Sequence, residues 1–84
     1  MKVKVYLALV THRHGENVYA AGSQKELRTK LYGYVAGSWA EFMKTRPLPR
    51  SEKAAISQYF DVAKEFGAHG EFLTYHEDEI EVNA

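Results

Sequence analysis

The stretch SQKELRTKLYGYVAGSWAEFMK, residues 23–44, decides how the rest of the chain must fold. Leu27, Leu31, Tyr34, Val35, Trp39, Phe42 and Met43 recur at helical spacing and form one broad apolar stripe. Ser23 begins a capping box with Glu26, the serine oxygen accepting an orphan amide of the first turn. Lys44 and Arg46 suit the carbonyl pole at the far end, and Pro47 stops the helix. A stripe this apolar has to be covered by a sheet or by another helix. Gly33 and Gly37, four residues apart, make a flat strip on which tight backbone packing is expected, with self-association as the alternative use.

Upstream, residues 2–10 alternate as a strand does: Val3, Val5, Leu7 and Leu9 point one way, and Lys2, Lys4, Tyr6, Ala8 and Val10 the other. The first set is expected to face the core. The second set turns from charged to apolar along its length, so part of it is also a candidate for cover. The turn at residues 11–17 contains Gly15 and Asn17, both tolerant of positive φ, and residues 18–21 return as an antiparallel partner. The first strand is expected at the centre of the sheet.

Downstream, Arg46-Pro47-Leu48-Pro49-Arg50 is a short stiff connector of the kind that joins antiparallel helices. Ser51 caps a second helix with Ala55, Ile56, Tyr59, Phe60, Ala63 and Phe66 on its apolar side and Gly67 beyond its end. Residues 72–82 read as a last strand that changes parity: Leu73 and Tyr75 fall on one face, Ile80 and Val82 on the other. A bulge at residues 76–79 would account for this. The expected architecture is α+β, one domain over residues 1–84. A three-stranded sheet in the order β-β-α-α-β carries an antiparallel helix pair on one face. The strand order is 2-1-3, with the last strand parallel to the first.

The absence of cysteine excludes disulfides, thiolate metal sites and a cysteine nucleophile, and fits a reducing cytoplasm. No apolar run approaches the roughly 18 residues of a membrane span, and Thr11 to His14 cuts short the one signal-like start. A soluble, unprocessed cytoplasmic protein is expected. The net charge of zero conceals an asymmetry: residues 1–50 hold nine Lys/Arg and three Asp/Glu, residues 51–84 two and eight. These charges either neutralise each other on folding or form a basic and an acidic face that steer partners.

His12 and His14 have a chelating spacing, which His69, His76 and residues 77–79 could complete, but the pattern is no known metal signature, and no bound metal or other cofactor is expected. Ser38, Ser51 and Ser57 lack a nucleophile motif. Tyr59, Tyr75 and the histidines offer acid–base groups without a constellation around them, so the chain reads as a non-enzyme. Lys2, Lys4, Arg13, Lys25, Arg28, Lys30, Arg46 and Arg50, with Tyr6, Tyr32 and Tyr34 for stacking, give nucleic acid as the alternative partner.

The strand ending in His12-Arg13-His14-Gly15, the long helix with Tyr34-Val35 and Trp39, and the Tyr59-Phe60 pair resemble a group of small uncharacterised accessory proteins of bacterial phages and mobile elements. The resemblance runs from Val5 to Val82. It implies an inhibitor-like module that binds a host protein or nucleoprotein complex, of which anti-CRISPR and anti-restriction inhibitors are the known type. The expectation is therefore a non-catalytic protein-binding module, monomer or homodimer, with no membrane. Its partner-binding residues are expected to be Glu77, Asp78 and Glu79 on the acidic stretch, Arg13 and His14 on the hairpin tip, and Arg46 and Arg50 on the connector.

Overall fold

The computed structural model describes residues 1–82. β1 (Lys2–His12) and β2 (Gly15–Ala21) form a hairpin, α1 (Gln24–Met43) and α2 (Glu52–Ala63) follow, and a short 3-10 segment (Lys64–His69) leads into β3 (Phe72–Glu81). The sheet order is β2-β1-β3, with β1 central as expected. Both helices lie on one face of it.

Both helix starts are held as their serines foretell. Ser23 Oγ accepts the Glu26 amide at 3.1 Å and Ser51 Oγ that of Ala54 at 3.3 Å. The apolar stripe of α1 is buried at Leu27, Leu31, Val35, Trp39, Phe42 and Met43, and α2 buries Ala55, Ile56, Tyr59, Phe60 and Ala63. Tyr59, fully buried, is the hub. Its ring lies 6.4 Å from Trp39, 5.6 Å from Phe42, 5.0 Å from Phe60 and 6.2 Å from Tyr34.

The helices do not run antiparallel. Glu52 at the start of α2 accepts from the Thr29 hydroxyl at 3.4 Å, and Phe66, just past its end, packs on Phe42 at 4.9 Å. Contacts that advance along both helices together mean a shared direction. Residues 44–51 make this possible. Pro47 and Pro49 keep them extended, and eight extended residues reach about 26 Å. That exceeds the roughly 21 Å of helix between Met43 and Thr29. Leu48 packs against the core along the way, and the Trp39 indole N–H donates to the Arg46 carbonyl at 2.6 Å. The connector is thus a strap that carries the chain back, not a tight turn.

The direction of α2 sets that of β3. α1 starts level with Tyr6, where the Gln24 amide donates to Glu77 at 3.3 Å, and it climbs toward the hairpin tip. α2 climbs the same way and ends where the Glu71 amide meets the Ala63 carbonyl at 3.2 Å. Gly70 is required at this junction, because a Cβ there would stand 2.6 Å from that carbonyl. β3 therefore enters opposite Thr11 and descends antiparallel to β1, not parallel as expected, as far as the Lys2–Glu81 pair.

The register of β3 is continuous, without the expected bulge. Its change of parity has another cause: the helices do not cover the whole sheet. Near the hairpin end Leu73 lies against the core, while Tyr75 on the same face is 57% exposed. Beyond Glu77 the helix-side positions are charged, and Ile80 faces the other way. Gly33 and Gly37 also depart from expectation, since nothing lies within 4 Å of a Cβ built on either. They form no close packing strip. No helix among the described residues is long and apolar enough to cross a membrane.

Candidate interaction surface

Residues paired across a sheet share a face, so the register assigns every side chain of the strands. On β1 the helix-side residues are Tyr6, Ala8 and Val10; Ala8 and Val10 are fully buried. Val3, Val5, Leu7 and Leu9, expected to be the core face, lie on the opposite side and do not pack against the core cluster. A central strand carries apolar residues on both faces, and the small Ala8 is what allows the helices close approach.

No described element covers that second face. Its middle row is Val3, Val5, Leu7 and Leu9, only partly buried by one another and their neighbours. Val18 stands opposite Leu9 on β2 and is 66% exposed. Ile80 stands opposite Val3 on β3 and is 48% exposed. The carboxylates of this face, Glu16 and Asp78, sit on the flanking strands. An aliphatic row of this length, uncovered and rimmed by polar residues, is the usual mark of a contact surface.

The seven expected contact residues do not gather into one patch. Glu77, Asp78 and Glu79 alternate across a regular strand: Glu77 and Glu79 lie on the helix side, Asp78 on the open face. Glu77 is engaged by Gln24 and by Lys4 at 3.7 Å, and Asp78 accepts the Glu79 amide at 2.8 Å. Arg13 and His14 lie at the hairpin tip, about 20 Å or more up the sheet. There Arg13 Nε donates to His14 Nε2 at 3.1 Å. Arg46 serves through its carbonyl in the strap, and Arg50 is exposed at the strap's end.

The charge asymmetry along the chain closes on itself in the sheet. Lys2 stands opposite Glu81 and Lys4 opposite Glu79, while the N-terminal ammonium meets Glu81 at 2.9 Å. Lys30 is likewise occupied, by the Ala20 carbonyl at 2.7 Å and by Glu26 at 3.8 Å. Pairs this exposed contribute little stability, but they leave less free basic surface for phosphates.

One buried polar group was not anticipated from sequence. Glu71, 6% exposed, accepts the Tyr34 hydroxyl at 2.6 Å and the Tyr59 hydroxyl at 2.8 Å, both on Oε1. It borders a cleft of 310 Å³ that also collects His12, His14 and His69. His76 and residues 77–79 are elsewhere, and among the described residues no group of three or more His, Asp or Glu is arranged to hold a metal ion. A single acid between Gly70 and Phe72 carries no periodic signal; only the two tyrosines at mid-helix hint at a buried acceptor.

Burial first, then the Glu71 carboxylate, pushes both phenols well above their ordinary 10.0. In the unfolded chain they ionise near 10.0. Their contribution to stability is therefore complete below pH 10 and is lost as pH rises above it. Phenolate absorbance should show that Tyr34 and Tyr59, two of the six tyrosines, fail to titrate until the fold is lost, while burial also raises Tyr75. Titration of all six near pH 10 with the circular dichroism unchanged would refute the assignment.

Comparison of the chain with protein-family models, with curated proteins and with solved structures finds no match, so the uncovered sheet face stands on its own geometry.

Proposed function

We propose that the protein is a non-catalytic protein-binding module that works by laying the open face of its sheet against another protein. The observation that carries this reading is the aliphatic row Val3, Val5, Leu7 and Leu9, left without cover while the opposite face holds the whole core. A contact of this kind suits an inhibitor-like role, in which the module occupies a surface that its partner needs. The resemblance to phage and mobile-element accessory proteins supplies a context in which that partner is a host protein, with anti-CRISPR or anti-restriction inhibition as one form. A cytoplasmic site of action belongs to the same reading. The nucleic-acid alternative draws less support, because Lys2 and Lys4 face the acids of β3.

The test is affinity capture from bacterial host lysate with three proteins: the parent, a Leu7→Lys/Val18→Lys variant, and a Glu77→Lys/Glu79→Lys variant. Circular dichroism confirms the fold of each. A partner retained by the parent and the acidic-strand variant, and lost from the face variant, is the expected result. Loss from the acidic-strand variant alone moves the contact to the outer edge of β3. Equal retention by all three rejects the sheet face.

A further inference from the structure

Folded monomers expose an area set by their mass. A chain of 9.6 kDa should expose about 5,100 Å², and this one exposes 5672 Å². The excess, about 600 Å², reflects an elongated molecule whose sheet is bare on one face throughout and, beyond Glu77, on both. The molecule measures 49 × 28 × 16 Å, a thin slab in which one layer of helices backs one layer of sheet. An antiparallel sheet can leave a polar face to water, but here the middle row of that face is aliphatic and no described element covers it.

We infer that, in the free protein, a second copy of the chain supplies that layer, the two sheets packing open face to open face about a two-fold axis. The inference rests on the protein-binding reading of the same face and names its resting occupant. Three features favour a second copy. The middle row is aliphatic from Val3 to Leu9, so its best complement is another aliphatic row, which a two-fold axis provides. Glu16 and Asp78 lie on opposite flanks of that row, on β2 and β3, so an axis through the middle keeps like charges toward the rim. The area also suffices: the accessible surface of a face three strands wide and about nine residues long is on the order of 500–600 Å² per copy, so two copies bury about 1,000–1,200 Å², the low end of specific interfaces.

Packed sheets of this kind lie about 10 Å apart with their strands within about 30° of each other. Leu7 and Leu9 then lie at the centre with Val18 beside Leu9, while Val5 and Ile80 lie toward the end that carries Asp78. The outer edge of β3, with Glu77, Glu79 and Glu81 along it, resists strand addition, which leaves the open face and the β2 edge as routes to association.

Sedimentation of the untagged protein over about 1–100 µM, a range bracketing micromolar affinity, should give twice the 9.6 kDa chain mass at the upper end. Leu7→Lys should shift the midpoint upward by about a hundredfold or more, since every dimer would bury two unpaired ammonium groups. Should Leu7→Lys fail to fold, Val18→Lys and Ile80→Lys serve instead, the positions being 66% and 48% exposed; each should weaken the dimer while leaving the circular dichroism unchanged. A parent that remains at the monomer mass throughout overturns the inference. So does a dimer indifferent to folded face variants. A monomeric parent that still captures a partner through this face would leave the protein-binding reading standing and remove only the second copy. A dimer whose parent and face variants capture partners alike would do the reverse.

Discussion

Replacing Trp39 by alanine is expected to lower stability by about 3–5 kcal/mol, the usual cost of emptying a buried tryptophan site. Trp39 is 6% exposed and stacks on Tyr59 at 6.4 Å. Its loss is felt at two levels. The cavity opens beside the hub of the aromatic core, and the strap loses its anchor, because the indole N–H no longer reaches the Arg46 carbonyl. A domain of this length has a total stability of only about 4–13 kcal/mol, so the variant should lose a large share of it. Trp39→Phe separates the two effects, keeping most of the volume and losing the hydrogen bond, at a cost of about 1–2 kcal/mol. Urea melts followed by circular dichroism are the measurement, since the chain has a single tryptophan and its fluorescence disappears with it. An alanine variant within about 1 kcal/mol of the parent would show that neither the stack nor the strap matters.

Glu71→Ala is expected to cost about 2–5 kcal/mol, although it removes no apolar group from the core. The substitution strands two phenolic donors, and each buried donor without a partner costs about 1–3 kcal/mol. Tyr59 is the worse placed of the two, being fully buried. Glu71→Gln retains an acceptor oxygen and should cost distinctly less, because what the hydroxyls require is a lone pair. Combining Glu71→Ala with Tyr34→Phe and Tyr59→Phe should recover part of the loss, as removing all partners of a buried bond is milder than removing one. Thermal melts of the parent and these three variants decide this. If Glu71→Ala melted with the parent, the two hydroxyls would have found water, and the carboxylate would be free for another role.

Sequence carries helices and their caps well, and it carried both here. Seven stripe positions from Leu27 to Met43 and the serines at 23 and 51 are local signals that no tertiary contact overrode. It carried strand order too, because the first strand of the hairpin is the one with apolar residues on both faces. What it could not carry was direction. Two prolines around Leu48 are equally compatible with a tight reversal and with a return along α1; only the packing of Leu48 and the Trp39 bond distinguishes them. From that one ambiguity follow both the helix direction and the antiparallel β3. The faces of β1 were misread for a related reason. Val3 to Leu9 is the more apolar row, and the rule that the more apolar row is the core row fails when the surface itself is apolar. The same misreading hid the candidate surface, which was legible as a pattern and assigned to the interior. The acidic stretch of β3 looked like a fault in a strand because Leu73 and Ile80 serve opposite faces of the sheet. Glu71 had no signal of its own.

The place of β1 bears on how the chain comes into being. This central strand is synthesised before the other described elements, and its second neighbour, β3, after them; Lys2 pairs with Glu81 at the far end of that ladder. Synthesis therefore releases a hairpin with one edge and both faces bare, and later the helices, before the closing strand exists. Long-range pairing of this kind must wait for the entropy of a long loop to be overcome, so it comes late in folding as well as in synthesis. Until then the nascent chain holds an apolar strand with an open hydrogen-bonding edge, a state in which neighbouring chains on one message can pair wrongly.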